Sequence, residues 1–191
     1  MEKLNEVILE VGIKVARRGE GGLVIVGNCK YKPLVKQDVK PFNVIDNPKL
    51  LESLILMDGA VVLNSSGILE VYGAKINSNN ILPNFGTRHS AAISASMNKG
   101  TTAYIISQED KKVKVFYSGK LILQIDSLEK GIEKKVSEIS KLFESMGFGT
   151  LGFLGASVLV PTLGIALIPG VIVFGGVHYI INQIKNFERG K

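Results

Sequence analysis

Between Glu144 and Lys185 the chain contains no Asp, Glu, Lys or Arg. A helix of about 20 residues already crosses roughly 30 Å of hydrocarbon at 1.5 Å per residue, so a run over 147–184 is long enough to enter a bilayer. Pro161 and the pair Pro169-Gly170 interrupt it, which favours a helical hairpin over one long rod. Lys134, Lys135 and Lys141 precede the run, and Lys185, Arg189 and Lys191 follow it. Basic residues on both flanks place both ends on the same, cytoplasmic side, as a hairpin requires. Gly149, Gly152, Gly155, Gly164, Gly175 and Gly176 would let two helices approach closely. The alternative is a buried helical pair inside a soluble oligomer.

Everything before Glu144 reads as an ordinary charged globular sequence. With 191 residues in all, the chain has room for one domain with a sizeable core and a short extra element. The net charge of +6 favours anionic partners such as nucleotides, nucleic acid or an acidic membrane surface, although it is spread over many solvated lysines. The single cysteine, Cys29, excludes an internal disulfide and a cysteine-based metal cluster, in keeping with a reducing compartment. The first residues, Met1-Glu2-Lys3-Leu4-Asn5-Glu6, mix charges before any apolar run and do not resemble a secretory leader.

Leu4, Val7, Ile8, Val11, Val15 and Ala16 recur at helical spacing over 2–18, and Gly21-Gly22 closes that helix. Leu23-Val24-Ile25-Val26 is a buried strand by its continuous β-branched run. The polar segment 28–45, with two prolines, reads as loop. Asp46 is positioned to cap a helix over 48–57, followed by strands at 59–63 and 68–76 around the turn Asn64-Ser65-Ser66-Gly67. A helix over 87–98, a strand at 101–106, and a hairpin of 113–117 and 121–125 come next. Ser127 would cap a final amphipathic helix through Ile132, Val136, Ile139, Leu142 and Phe143. Strands interleaved with helices predict an α/β (α+β) fold, with a mixed central β-sheet flanked by helices and then the hydrophobic hairpin.

Two segments place reactive groups beside element ends. Asp58-Gly59-Ala60 sets a carboxylate at a helix-to-strand junction, where it can hold a metal or take a proton, followed by residues small enough for a ligand to approach. On its own this is also a common turn. Phe85-Gly86-Thr87-Arg88-His89-Ser90 leads a glycine into a helix start, where backbone N–H groups, hydroxyls and an arginine can cradle phosphate. On its own it is also an ordinary capped helix. No Walker-type loop and no Gly-x-Gly-x-x-Gly after a strand is present.

Together, and about thirty residues apart, these segments resemble the diadenylate cyclase family, whose hallmarks are a DGA and an RHR motif. The strand at 22–25 stands where that family has its first core strand, and Ser107-Gln108-Glu109 stands where it commonly has Ser-Glu-Glu. The resemblance covers roughly residues 1–127. It implies a cyclase domain over 1–127, with 128–146 a connecting amphipathic helix, 147–184 a membrane-inserted segment and 185–191 a basic tail. Asp58 would bind a divalent cation (Mg2+ or Mn2+) with help from Glu109 and assist activation of the ribose 3′-hydroxyl. Gly59 and Ala60 would let the nucleotide lie close. Gly86, Thr87, Arg88 and His89 would bind the triphosphate, with Ser90 and Ser107 beside them, and adenine would sit near Ala74, Lys75 and Ile76. The family's usual second arginine is replaced here by Ser90, and Lys75 falls where some relatives stack an aromatic ring.

The implied reaction joins two ATP into cyclic di-AMP and releases two pyrophosphates. Each 3′-oxygen would attack the other ATP's α-phosphorus across a two-fold homodimer, with Arg88, His89 and Asp58 as the catalytic set. No nucleic acid partner is expected, and the location implied is the cell membrane with the catalytic domain cytoplasmic. The alternative is a regulatory module that binds ATP or a cyclic dinucleotide at the membrane but turns it over weakly.

Overall fold

The computed structural model describes residues 2–77, 86–145, 165–168 and 171–174. The helical spacing at the N-terminus gives α1 (Glu2–Arg17), whose Leu4, Ile8, Leu9, Val11, Ile13 and Val15 are buried. The apolar run after the two glycines gives β1 (Gly22–Val26), buried along its whole length. It is buried on both faces because it lies at the centre of a sheet covered on both sides: Val24 and Val26 join one core, Leu23 and Ile25 the other.

The remaining elements are β2 (Tyr31–Pro33), α2 (Pro48–Ile55), β3 (Ala60–Leu63), β4 (Leu69–Ile76), α3 (Thr87–Ser96), β5 (Thr102–Ile106), β6 (Lys112–Tyr117), β7 (Lys120–Asp126) and α4 (Ile132–Ser145). The sheet order is β2-β4-β3-β1-β5-β6-β7. β1 and β3 run parallel, joined through the crossover that carries α2, and the other neighbours in this order are antiparallel. Residues of α1, α2 and α4 share one core with the sheet, and Ala92 and Ala95 of α3 belong to the core on the opposite face. In the first core the Tyr104 hydroxyl donates to Asn5 Oδ1 at 2.6 Å, which satisfies both buried polar groups.

Three local expectations are corrected. The segment 28–45 is not all loop: β2 pairs antiparallel with β4, matching Tyr31 with Ile76 and Pro33 with Ala74. A three-residue edge strand ending in proline leaves almost no pattern in a sequence. The residue at the N-cap of α2 is Asn47, not Asp46, with Pro48 opening the helix. Ser127 does not cap α4; its Oγ donates to the Lys111 carbonyl at 2.6 Å, and its own carbonyl accepts from Arg17 Nε and Nη2 at 2.9 and 2.7 Å. These bonds stitch the end of α1 to the approach to α4.

Of the charge-free run, only β8 (Ile165–Ile168) and β9 (Val171–Phe174) are described. They pair antiparallel with each other, and β9 lies parallel to β7, so the order continues β7-β9-β8. Strand conformation in these two segments is in keeping with their Ile and Val content. The rest of 147–184, and with it most of the expected hairpin, lies outside the described residues. Among the described residues no helix is long and apolar enough to cross a membrane.

Candidate active site

Because β1 and β3 are parallel while β4 and β5 run against them, one end of the sheet collects four chain segments. The starts of β1 and β3 meet the ends of β4 and β5 there. The N-terminus of α3 lies over the same end, and the space between is an open cavity of about 1110 Å³. Every site residue expected from the sequence lines it: Asp58, Gly59, Ala60, Ala74, Lys75, Ile76, Gly86, Thr87, Arg88, His89, Ser90, Ser107 and Glu109. Segments separated by many tens of residues are brought together by strand order alone.

The carboxylate of Asp58 is exposed, and its Oδ1 accepts the Gly59 N–H at 3.1 Å. Gly59 itself has φ +98° and packs against β4, where an added β-carbon would stand 2.7 Å from both Ala74 N and Gly73 C. Its smallness therefore serves the protein's own backbone, a different reason from ligand approach. The pairing of Ala60 with Ala74 and of Val62 with Val71 leaves one extra residue in β4, a bulge beside Gly73, whose φ is +55°. Ala74 and Ile76 point into the core beneath α3. Lys75 alternates to the other face, is exposed, and sits opposite Lys32 of β2.

α3 begins without a side-chain cap: Gly86 is its N-cap residue in an extended conformation. His89 N–H and Ser90 N–H both donate to the Gly86 carbonyl, at 3.0 and 3.1 Å. Helix geometry leaves the N–H groups of Thr87 and Arg88 without an intrahelical acceptor, so they and the positive helix end face the cavity. Arg88 is half-buried and Thr87 exposed, while Ser90 is only 3 % exposed. His89 meets the Phe116 ring edge-on, with centroids 6.4 Å apart. Burial, and then nearby Lys114, hold its pKa below the ordinary histidine value against the opposing pull of Asp110 and Glu109.

Ser107 is buried at the end of β5, and Glu109 is exposed beyond it. Asp110, not singled out in the sequence, forms an ion pair with Lys114 at 2.7 Å. Burial works against its ionisation, but hydrogen bonds from Lys114 and Ser107 outweigh this and hold its pKa below the ordinary carboxylate value.

Sequence reasoning missed the apolar lining. Leu23 and Ile105 lie along the floor, and Leu34 stands at the rim, 53 % exposed. Leu34 is held there by a stitched loop. Its N–H donates to the Gly73 carbonyl at 2.8 Å, and Gln37 exchanges two hydrogen bonds with the backbone of Tyr72. The Tyr72 hydroxyl accepts from Asp38 N–H and donates to the Lys36 carbonyl. No motif marks such a residue; only the pairing of β2 with β4 reveals it.

Among the described residues no cluster of three or more His, Cys, Asp or Glu side chains is arranged to hold a metal. Asp58 and Glu109 are two hard oxygen donors on one cavity, a set that fits a cation completing its coordination with ligand phosphates and water.

Residues 12–121 match the family model described as DisA bacterial checkpoint controller nucleotide-binding (DAC). The chain belongs to this family. A diadenylate cyclase from Haloferax volcanii is 32 % identical to it over 137 residues, which cover 63 % of this chain and 50 % of the relative. The chain thus spans about half the length of that curated relative. A solved structure of DacA from Staphylococcus aureus, a double-cysteine variant, aligns with TM-score 0.51 and 22 % identity over 78 % of this chain and 97 % of the other. That likeness supports the fold. The matched family region includes each of the expected site segments, from Asp58 to Glu109.

Proposed function

We propose that the protein is a diadenylate cyclase, a nucleotidyltransferase that condenses two ATP into cyclic di-AMP with release of two pyrophosphates. The observation that carries this reading is the convergence of Asp58-Gly59-Ala60, Gly86–His89 and Ser107/Glu109 on one cavity within a chain of the DAC family.

The chemistry assigned to each residue follows from its place. Thr87 and Arg88, with free N–H groups at the start of α3, would hold the triphosphate. Arg88 adds a charge-assisted donor for the phosphoryl oxygens as pyrophosphate leaves. His89, kept neutral by burial, can donate one N–H without adding charge. Leu34 and Leu23 would face the adenine, with backbone groups of residues 74–76 at its edge. Asp58 and Glu109 would hold Mg2+ or Mn2+, which when bound supplies Lewis-acid stabilisation of the phosphates. Asp58 would also orient the ribose 3′-hydroxyl.

The product contains two equivalent 3′–5′ links, and one chain carries one Asp58-Gly59-Ala60 segment. A two-fold homodimer with facing cavities would bring each 3′-oxygen in line with the opposite α-phosphorus. The charge-free run 145–184 would anchor the protein at the cell membrane, with the cavity on the cytoplasmic side.

A second reading, an ATP-binding regulatory module with weak turnover, is favoured by Ser90. It replaces the family's usual arginine and is buried, so it offers no phosphate-binding charge. Incubating the purified full-length protein with ATP and Mn2+ or Mg2+, followed by nucleotide chromatography, separates the two. Cyclic di-AMP from the wild type and none from Asp58→Asn supports the cyclase. ATP binding without product under varied metals supports the module.

A further inference from the structure

Gly21, just before β1, and Gly22, its first residue, stand side by side and are small for different reasons. A β-carbon on Gly22 would collide with the side chain of Ile55 and lie 3.0 Å from its carbonyl oxygen, so Gly22 lets α2 close on the sheet. A β-carbon on Gly21 would instead fall 2.6 Å from Nη1 of Arg88, 3.2 Å from the Ile106 carbonyl oxygen and 3.4 Å from Cβ of Gln108. Gly21 is not among the residues with positive φ, so its backbone would accept other residues. What the missing side chain leaves open is the place occupied by a guanidinium.

That guanidinium has little else to fix it. Among the described residues Arg88 forms no ion pair, and a long side chain without a partner samples several rotamers. We infer that Gly21 is a positioning residue for Arg88: the gap it leaves between the start of β1 and the end of β5 is a slot in which the guanidinium lies, aimed across the cavity at an anionic ligand. This rests on the reading of the cavity as an ATP site. An alanine at 21 would be backed by the fixed Ile106 carbonyl, so the mobile partner must yield, and that partner is the end of Arg88. The effect should therefore appear in ligand binding and not in the stability of the fold.

The test is a double-mutant cycle in full-length protein, using Gly21→Ala, Arg88→Ala and the pair. Binding of a non-hydrolysable ATP analogue with Mg2+ and the melting temperature are both measured. Gly21→Ala should weaken binding by at least about threefold with Tm almost unchanged, because misaiming a charged donor costs much of its contact. In the Arg88→Ala background the same substitution should have no further effect. Unchanged binding in Gly21→Ala, or an equal loss with and without Arg88, would overturn the assignment. Should Gly21→Ala fail to fold, recovery of folding in the pair supports the slot, and failure of both overturns it. If the wild type binds no ATP analogue, the nucleotide reading fails, and the slot is judged separately from a crystal structure of Gly21→Ala: a displaced guanidinium supports it, an unmoved one overturns it.

Discussion

The backbone nitrogen of Ala74 lies 2.7 Å from where a β-carbon of Gly59 would stand. Together with the φ of +98° at Gly59, this closes the position to every other residue. We expect Gly59→Ala to destabilise the protein by at least about 2 kcal/mol, the sum of left-handed strain and a backbone clash. That corresponds to a Tm lower by about 5 °C or more, measurable by thermal melting without any ligand. A Tm within 1 °C of wild type, on the order of measurement error, would show that β3 and β4 can separate at no cost.

Arg88→Ala should leave stability nearly unchanged, since the side chain is half-buried and without an ion pair among the described residues. Charge-assisted contacts to phosphate are worth about 1.5–3 kcal/mol, so ATP binding or turnover should fall by roughly tenfold or more. Titration calorimetry and steady-state kinetics check this. Full activity in the variant would reduce Arg88 to a surface charge.

Leu34 is a large apolar side chain held open to solvent by its stitched loop. Leu34→Ala should raise KM for ATP by roughly three- to tenfold, at about 0.8 kcal/mol per methylene removed from contact with the base. The same change should not lower Tm. A matching loss with GTP in place of ATP would indicate general packing and not base recognition.

His89 makes a contribution to stability that depends on pH. Its folded pKa is depressed below 6.5, chiefly by burial, so below that value the unfolded chain takes up a proton before the folded one does. Stability is therefore fully present above about pH 6.5 and declines as pH falls through the window down to the folded pKa. Chemical denaturation from pH 5 to 8 should show this slope, reduced in His89→Gln. Identical slopes would place the proton uptake elsewhere.

The charge-free tail leads to a fractionation experiment. Full-length protein should sediment with membranes, resist high salt and carbonate, and be released by detergent. A discrete soluble oligomer in the absence of detergent would identify the tail as a core between copies of the chain.

The site was more legible in the sequence than the elements that shape it. Asp58, Gly86, Arg88 and Glu109 were marked out by paired short segments and the family resemblance they carry, and all four line one cavity. β1, β3 and β5 were legible too, since burial on both faces demands unbroken apolar runs. β2 was not: three exposed residues ending in Pro33 gain their strand character from β4 and not from themselves. Leu34 was hidden for the same reason, and Gly21 looked like a helix terminator because its neighbour Arg88 is distant in sequence. Ser127 is a residue type favoured at caps, yet tertiary bonds to Lys111 and Arg17 take its polar groups, and α4 begins only at Ile132.

The parallel pairing of β1 with β3, and the antiparallel pairing of β1 with β5 from much later in the chain, have a consequence for how the molecule is made. The centre of the sheet cannot form from neighbouring hairpins, and long stretches must be closed into loops before its contacts repay the entropy. The cavity, whose walls are the ends of these strands, can exist only after the last of them is in place. A ligand of the cavity can then recognise none but the finished chain, and at a hundredfold excess over its Kd it would stabilise that state by about 2.7 kcal/mol. The lifetime of the protein against proteolysis would in this way follow the supply of whatever the cavity binds.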